Sequence, residues 1–325
     1  MNELTISVAM CTFNGKRFLG AQLESIRSQS RTPDEVVICD DGSSDGSLEL
    51  IREFACRARF PTRLLINERN LGSTKNFEQA ISLCQSKIVA LADQDDVWYP
   101  QKLEQIDNTF AQSRSIALAF SDADMIDDNT RLVGLRLWST FSFNRSEQNE
   151  FANGHALKVL VKHPVVTGAT MAFRRELFDL ATPIPEGHIH DAWISFLLAA
   201  FGPFRLISEP LMQYRQHGAQ QMGPGPFSLR QQMARARNTR ADSYLDQTER
   251  FRQLDERLEL HEDKFPNAVC ARNEIKRKVS HLEHRARLPR GMISRIPKVV
   301  REAFKGNYWR YSSGWKSIAK DLMIR

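Results

Sequence analysis

Four short β-rich runs, residues 4–10 (LTISVAM), 35–39 (EVVIC), 63–67 (RLLIN) and 87–92 (KIVALA), alternate with segments whose apolar residues recur at helical spacing. The spacing is carried by Phe18, Leu19, Gln22, Leu23 and Ile26, by Leu48, Ile51 and Phe54, and by Phe77, Ala80, Ile81 and Cys84. A chain written this way buries its strands in a mostly parallel sheet covered by helices on both faces, an α/β fold. Residues 116–137, 165–173 and 204–216 read as further strands around a helix from His190, which makes the sheet mixed. Such sheets take ligands beyond the carboxyl ends of their strands, so polar residues there are the candidate site.

Three polar clusters stand at those ends. Thr12-Phe13-Asn14 follows the first strand, Asp40-Asp41-Gly42-Ser43-Ser44-Asp45 the second, and Asp93-Gln94-Asp95-Asp96 the fourth, so all three are expected on one rim. Asp40 is placed to accept a hydrogen bond from a base N–H, with Phe13 as an apolar wall; the alternative is a plain turn and helix N-cap. Three carboxylates within four residues repel one another unless water or a cation intervenes, and Asp93 and Asp95, two apart on an extended chain, point the same way. Mg²⁺ or Mn²⁺ is the expected ion, since hard cations take one or two carboxylates together with substrate phosphates. A solvated acidic loop is the competing reading. Asp191, ahead of the apolar segment Ile194 to Phe201, is either a first-turn carboxylate or a general base beside Trp193. His217 suits a phosphate contact or a metal shell, and equally a surface position.

The 325 residues suffice for one α/β domain of about 200 residues plus an appendage. Charge divides accordingly. Residues 224–325 hold 23 Lys and Arg against 12 Asp and Glu, whereas residues 1–223 hold 22 against 27. The break falls at Met222-Gly223-Pro224-Gly225-Pro226, where two Gly and two Pro interrupt any helix. We therefore expect a catalytic body over 1–223 and a basic helical extension over 224–325. In that extension Met233, Tyr244, Leu245, Phe251, Leu254 and Leu258, then Phe304, Tyr308, Trp309, Tyr311 and Trp315, lie among Lys and Arg. Basic residues with interfacial aromatics suit an anionic membrane surface, while a solvated helical face or a dimerisation arm suits the same composition. No run of about 18 apolar residues is present and the start lacks a signal-peptide pattern, so a cytoplasmic location is expected, peripheral at the inner face of the membrane if the extension binds it. Five cysteines far apart, with Cys11 and Cys39 in strand-like runs, point to buried thiols in a reducing compartment.

Neither Gly-x-Gly-x-x-Gly nor a P-loop occurs, which removes the usual cradles of dinucleotide oxidoreduction and P-loop phosphoryl transfer. A sugar nucleotidyltransferase shares the need for nucleotide and metal but lacks its Gly-rich phosphate loop here. A nucleic-acid binder would explain only the extension, and no such motif is found.

The order of Thr12-Phe13-Asn14, Asp40-Asp41-Gly42-Ser43, Asn70-Leu71-Gly72 with Lys75-Asn76-Phe77, Asp93-Gln94-Asp95-Asp96-Val97-Trp98, His190-Asp191-Ala192-Trp193 and Tyr214-Arg215-Gln216-His217 resembles family 2 glycosyltransferases, especially their bacterial rhamnosyltransferase-like branch. The similarity spans about residues 4–220. It implies a GT-A fold and an inverting transfer from a nucleoside-diphosphate sugar, dTDP-rhamnose or a UDP-sugar, to a glycan or polyprenyl-diphosphate-linked acceptor of cell-surface polysaccharide such as O-antigen or capsule. By the same resemblance Thr12, Phe13, Asn14 and Asp40 with Asp41 would hold base and ribose, and Asn70, Lys75, Asn76 and Gln94 would line the nucleotide side. Asp95 with Asp93 would engage Mg²⁺ or Mn²⁺, Asp191 would be the base, and Arg215 and His217 would hold the departing phosphates or complete the metal shell. The Gln-x-x-Arg-Trp motif of processive synthases is absent, which implies one sugar per encounter. Ala219-Gln220-Gln221 stands where the family often carries asparagines.

Overall fold

The computed structural model describes residues 4–217, 241–289 and 291–323. The Ala219-Gln220-Gln221 departure, the expected break at 222–226 and the first stretch of the extension, to 240, lie outside the described residues. The chain divides into two compact units, Met1–Gly154 with Val165–Pro224, and His155–Pro164 with Gly225–Arg325. Residues 155–164 thus group with the second unit, which a composition shift along the sequence does not reveal.

In the first unit a mixed sheet contains β1 (Ile6–Thr12), β2 (Glu35–Asp40), β3 (Thr62–Ile66), β4 (Ile88–Ala92), β5 (Val97–Trp98), β6 (Leu118–Ile126), β7 (Leu132–Arg136), β8 (Met171–Arg174) and β9 (Phe204–Arg215). Their order is β3-β2-β1-β4-β8-β6-β9-β5, with β7 added on β6. The half β3-β2-β1-β4 is wholly parallel, β6 and β9 are also parallel, and most registered residue pairs in the sheet are parallel. Every residue of β1, β2 and β4 is buried, as expected of strands covered on both faces. The covering helices follow the sequence periodicity. Lys16–Arg27 buries Leu19, Leu23 and Ile26, Ser47–Arg57 buries Ile51 and Phe54, and Ser73–Leu83 buries Phe77, Ala80 and Ile81.

Residues 165–173 differ from the strand expected there. Gly168–Thr170 forms a 3₁₀ turn and only Met171–Arg174 is strand. The turn depends on Gly168, because a Cβ there would stand 2.7 Å from His190 Nε2.

The second unit is helical, with Ala241–Glu259, Pro266–Ala286, Met292–Phe304, Asn307–Tyr311 and Trp315–Met323. Val299, Tyr308 and Ile318 form a small apolar cluster. Leu254, Leu258, Ala268, Ala271, Ile275 and Leu282 are buried as well, and a polar network runs through the same unit. Arg285 donates Nε to Asp321 Oδ2 at 2.7 Å, NH1 to Ser312 Oγ at 2.8 Å and NH2 to the Tyr244 hydroxyl at 2.8 Å, while Tyr308 donates to Asp321 Oδ2 at 2.7 Å. His281 Nδ1 lies 2.8 Å from Glu302 Oε1. Among the described residues no helix is long and apolar enough to cross a membrane.

Candidate active site

The parallel register aligns the ends of adjacent strands: Thr12 pairs with Asp40 across β1 and β2, and Asp93 follows β4 on the other side of β1. The three polar clusters therefore meet on one rim, bound to one another through side chains. Thr12 Oγ1 donates to Asp40 Oδ2 at 2.6 Å, and Ser43 gives Asp40 both its backbone N–H and its hydroxyl, each at 2.7 Å. Asn14 takes a left-handed conformation, φ 47°, which a short polar residue tolerates. Its N–H donates to Ser43 Oγ and its Oδ1 accepts from Ser44 N–H. Gln94 clasps the Phe13 backbone from the third cluster, accepting from Phe13 N–H at 2.8 Å and donating to Phe13 O at 3.1 Å. Phe13 itself is exposed, an open apolar wall.

Behind this rim the polar atoms turn inward. Asp41 is buried and accepts from Asn67 Nδ2, Leu71 N–H and Gly72 N–H, fixing the 67–72 loop that begins the next helix. Asn70 Oδ1 accepts from Gly72 N–H within that loop. Asn76 and Arg215 were expected at the nucleotide and diphosphate, and the structure gives both a framing position. Asn76 is 2% exposed and donates to Cys39 O while accepting from Asn67. Arg215 is 1% exposed and donates to Asp95 O, Asp127 O and Thr130 Oγ1. Burial drives both, since Asn76 on the helix Ser73–Leu83 and Arg215 at the end of β9 must satisfy their donors within the fold. Lys75 reaches Glu78 and Ile184 O, each at 2.6 Å.

The acidic loop is the electrostatic centre. Burial, then the charges of Asp95 and Asp191, push the Asp93 carboxyl up to about 7. Asp191, in the first turn of the helix His190–Phe201, accepts from Gly168 N–H at 3.0 Å and Ala192 N–H at 2.6 Å. Three carboxyls from the acidic loop and one from a helix remote in sequence thus act on one another. Asp96 is 1% exposed; burial, Asp95 and Asp93 all hold its carboxyl well above the usual range, and its Oδ2 has no hydrogen-bond partner among the described residues.

His217 Nε2 lies 2.8 Å from Asp95 Oδ2, against the ring of Phe18. The contact is a hydrogen bond as it stands, and its two groups, a carboxylate oxygen and an imidazole nitrogen, are of the kinds that could ligate a divalent ion. No group of three His, Cys, Asp or Glu capable of holding an ion is present among the described residues, so phosphate oxygens of a substrate would have to complete the shell.

The sequence reading missed two groups. Lys102, fully buried, donates to Ala169 O at 2.6 Å and lies 4.0 Å over the Trp98 ring; burial pushes it down to about 7 against the opposing pull of Asp96 and Asp93. A lysine on the same helical face as Leu103, Ile106 and Phe110 was the available signal. His190 stacks on Phe77 at 4.2 Å, and neither ring nitrogen has a hydrogen-bond partner among the described residues. Burial lowers its pKa, which keeps it neutral beside Asp191. Cys11 and Cys39 are buried free thiols pushed up by burial, as expected of inert cysteines.

A family model described as glycosyl transferase family 2 matches residues 7–180. An uncharacterized glycosyltransferase of Nostoc sp. is 28% identical over 226 residues, covering 66% of each chain. The UDP-Glc:α-D-GlcNAc-diphosphoundecaprenol β-1,3-glucosyltransferase WfgD of Escherichia coli is 26% identical over 41% of this chain and 51% of its own. Among solved structures, S. aureus TarS 1-349 in complex with UDP-GlcNAc aligns with a TM-score of 0.55 at 17% identity, covering 94% of this chain and 92% of that one. The mannosyltransferase PcManGT of Pyrobaculum calidifontis, solved with GDP-Man and Mn²⁺, aligns with a TM-score of 0.52 at 16% identity, covering 92% and 75%. These likenesses show the GT-A arrangement of the sheet, and with a family model matched over more than half its length, the chain belongs to glycosyl transferase family 2.

Proposed function

We propose that this glycosyltransferase moves one sugar per encounter from a nucleoside-diphosphate sugar to an acceptor hydroxyl, with inversion in a single displacement. The observation that carries the reading is the gathering of Asp191, held by Gly168 N–H, near the Asp93-Gln94-Asp95-Asp96 loop, where Asp95 meets His217 and Asp96 Oδ2 has no hydrogen-bond partner among the described residues; burial and the same grouping raise the Asp93 carboxyl. Like charges gathered in a buried site, with Lys102 and Arg215 only partly offsetting them, are costly unless a ligand brings more of the opposite charge.

Asp191 takes the proton of the acceptor hydroxyl as its oxygen attacks the anomeric carbon. The bond from that carbon to the diphosphate oxygen breaks on the opposite side, and the nucleoside diphosphate departs with the electron pair. The Gly168 and Ala192 N–H groups fix the Asp191 carboxylate at the helix start. Asp95 and His217, with Asp93 beside them, would hold Mg²⁺ or Mn²⁺, which when bound would neutralise charge on the departing diphosphate. Phe13 and the Thr12–Asp40–Ser43 group face the base and ribose, with Asn14 and Gln94 locking that wall. Asn70 and Lys75 flank it. Arg215 is a positioning residue, setting the acidic loop through Asp95 O and Asp127 O.

The donor classes to test first are dTDP-rhamnose and the UDP-sugars. A lipid-linked glycan of cell-surface polysaccharide synthesis, reached at the cytoplasmic face of the membrane, is the proposed acceptor, supported by the diphosphoundecaprenol acceptor named for WfgD.

Binding and hydrolysis across a panel of nucleotide sugars, with and without Mn²⁺ or Mg²⁺, test the assignment. One donor should bind in a metal-dependent way, Asp95→Ala should weaken that binding, and Asp191→Asn should bind the donor yet turn it over poorly. The released product should be the nucleoside diphosphate; pyrophosphate would mean nucleotidyl transfer. Absence of binding for every sugar nucleotide would end the proposal.

A further inference from the structure

The helix Met292–Phe304 turns an apolar stripe away from its own unit. Ile293 is 82% exposed and Phe304 90%, with Ile296 and Val300 also exposed between them. At about 100° per residue, these four and Pro297 fall within an arc of roughly 100°. Lys298, Arg301 and Lys305 occupy the adjoining arc, all exposed, and none makes an ion pair among the described residues. The side that packs inward is instead Arg295, Val299 and Glu302. Burial in the fold therefore does not account for the apolar residues, because the helix already has a different packed face.

The basic edge continues into a cleft. Lys298 and Arg301, with Pro297 between the stripe and the cleft, face Glu283, His284 and Arg287 across a hollow of about 590 Å³. Four of those side chains are basic types and one is acidic, so the hollow is suited to an anionic group. The same unit exposes Trp315 at 72% and Trp309 at 42%, in an edge-to-face pair 5.2 Å apart. An exposed apolar stripe, a single-sided basic edge and accessible tryptophans each match a different layer of a lipid surface: acyl chains, phosphates and the region between them.

We infer that the helix Met292–Phe304 is a docking face for an anionic phospholipid bilayer, lying in the interface with Ile293, Ile296, Val300 and Phe304 inserted and with Lys298, Arg301 and Lys305 on lipid phosphates. The cleft beside Arg287 seats a headgroup phosphate. A protein partner is less favoured, because a loose row of flexible cations beside an uninterrupted apolar stripe matches a fluid charged surface and offers no fixed geometry for a folded one. The inference does not rest on the transfer chemistry, and its failure leaves the active-site reading intact.

Co-sedimentation of the full chain with vesicles of phosphatidylcholine, with and without phosphatidylglycerol, tests it. The wild type should bind the anionic vesicles and release with rising salt. Ile293→Ser with Phe304→Ser, and separately Lys298→Glu with Arg301→Glu and Lys305→Glu, should each lower the partition coefficient by about tenfold or more. Helical content and donor hydrolysis should stay at wild-type levels, which separates lost docking from lost folding. Equal, negligible binding by the wild type and both variants would overturn the inference. So would a wild-type dimer that Ile293→Ser with Phe304→Ser converts to a monomer while vesicle binding persists, since the stripe would then be a contact between copies of this chain.

Discussion

Both units bury charge, but in opposite ways. In the first unit, carboxyls of one sign crowd together: Asp93 is pushed up to about 7, Asp96 is held well above the usual range, and Asp96 Oδ2 is left without a partner among the described residues. Lys102 lies close enough to be felt but spends its proton donors on Ala169 O and Met212 Sδ. In the second unit Arg285 meets Asp321 and a neutral His281 meets Glu302, with hydroxyls of Tyr244, Tyr308 and Ser312 filling the remaining valences, while Lys278 rests on Tyr311 O without an ion pair among the described residues and is pushed down to about 7 by burial. A matched network is complete without a ligand and specifies packing. An unmatched one keeps a standing cost that a cation and a diphosphate can relieve, and it stands where the chemistry is proposed.

The contrast can be broken by substitution. Asp191→Asn should lower kcat by about 10²- to 10⁴-fold with little change in unfolding free energy, because it removes a proton acceptor from an unmatched set; steady-state rates beside chemical denaturation would check both halves. Arg285→Met should cost about 3–5 kcal/mol by leaving Asp321 buried and uncompensated, and Arg285→Met with Asp321→Leu should recover much of that, as measured by urea unfolding. If Arg285→Met alone proves neutral, the second unit is not held by charge matching.

The Asp93 carboxyl predicts a pH effect of smaller size. Its pKa is raised in the folded chain, so its contribution is intact below the ordinary value of about 3.9 and is lost as pH rises through about 7. Metal-free protein should therefore lose, relative to Asp93→Asn across that window, part of the roughly 4 kcal/mol that the whole shift represents, since Asp93 is only half-buried, and Mn²⁺ should close the gap above about pH 7. Thermal unfolding of both proteins over the range would show it; parallel curves would remove Asp93 from the unmatched set. The smallest effect is expected at Gly15, where a Cβ would stand within 2.2 Å of Gln94 Oε1. Gly15→Ala should displace Gln94 from Phe13 and weaken donor affinity by about tenfold, a change of about 1.4 kcal/mol, visible by titration calorimetry.

Much of the first unit could be read from residues in order. The runs at 4–10, 35–39, 63–67 and 87–92 became β1 to β4 because near-continuous apolar strands have one home, a sheet covered on both faces. Parallel neighbours then bring Thr12, Asp40 and Asp93 to one rim with no further information. Beyond the break long polar helices were expected, and the described residues from 241 onward are largely helical.

What the sequence left open is which polar atoms face a ligand and which face the fold. Asn76 and Arg215 look like ligand residues by type, yet β2 and the 127–130 turn close over them and consume their hydrogen bonds. Lys102 drew no notice, and His190 was read only as the start of a helix and part of a motif, because their importance lies in what is packed around them. The same holds for Met292–Phe304, whose composition announces an amphipathic helix but not which side is covered. Period and residue type are local properties of a chain and determine its elements; exposure and the sum of surrounding charge depend on segments far apart in sequence, and only the tertiary fold decides them.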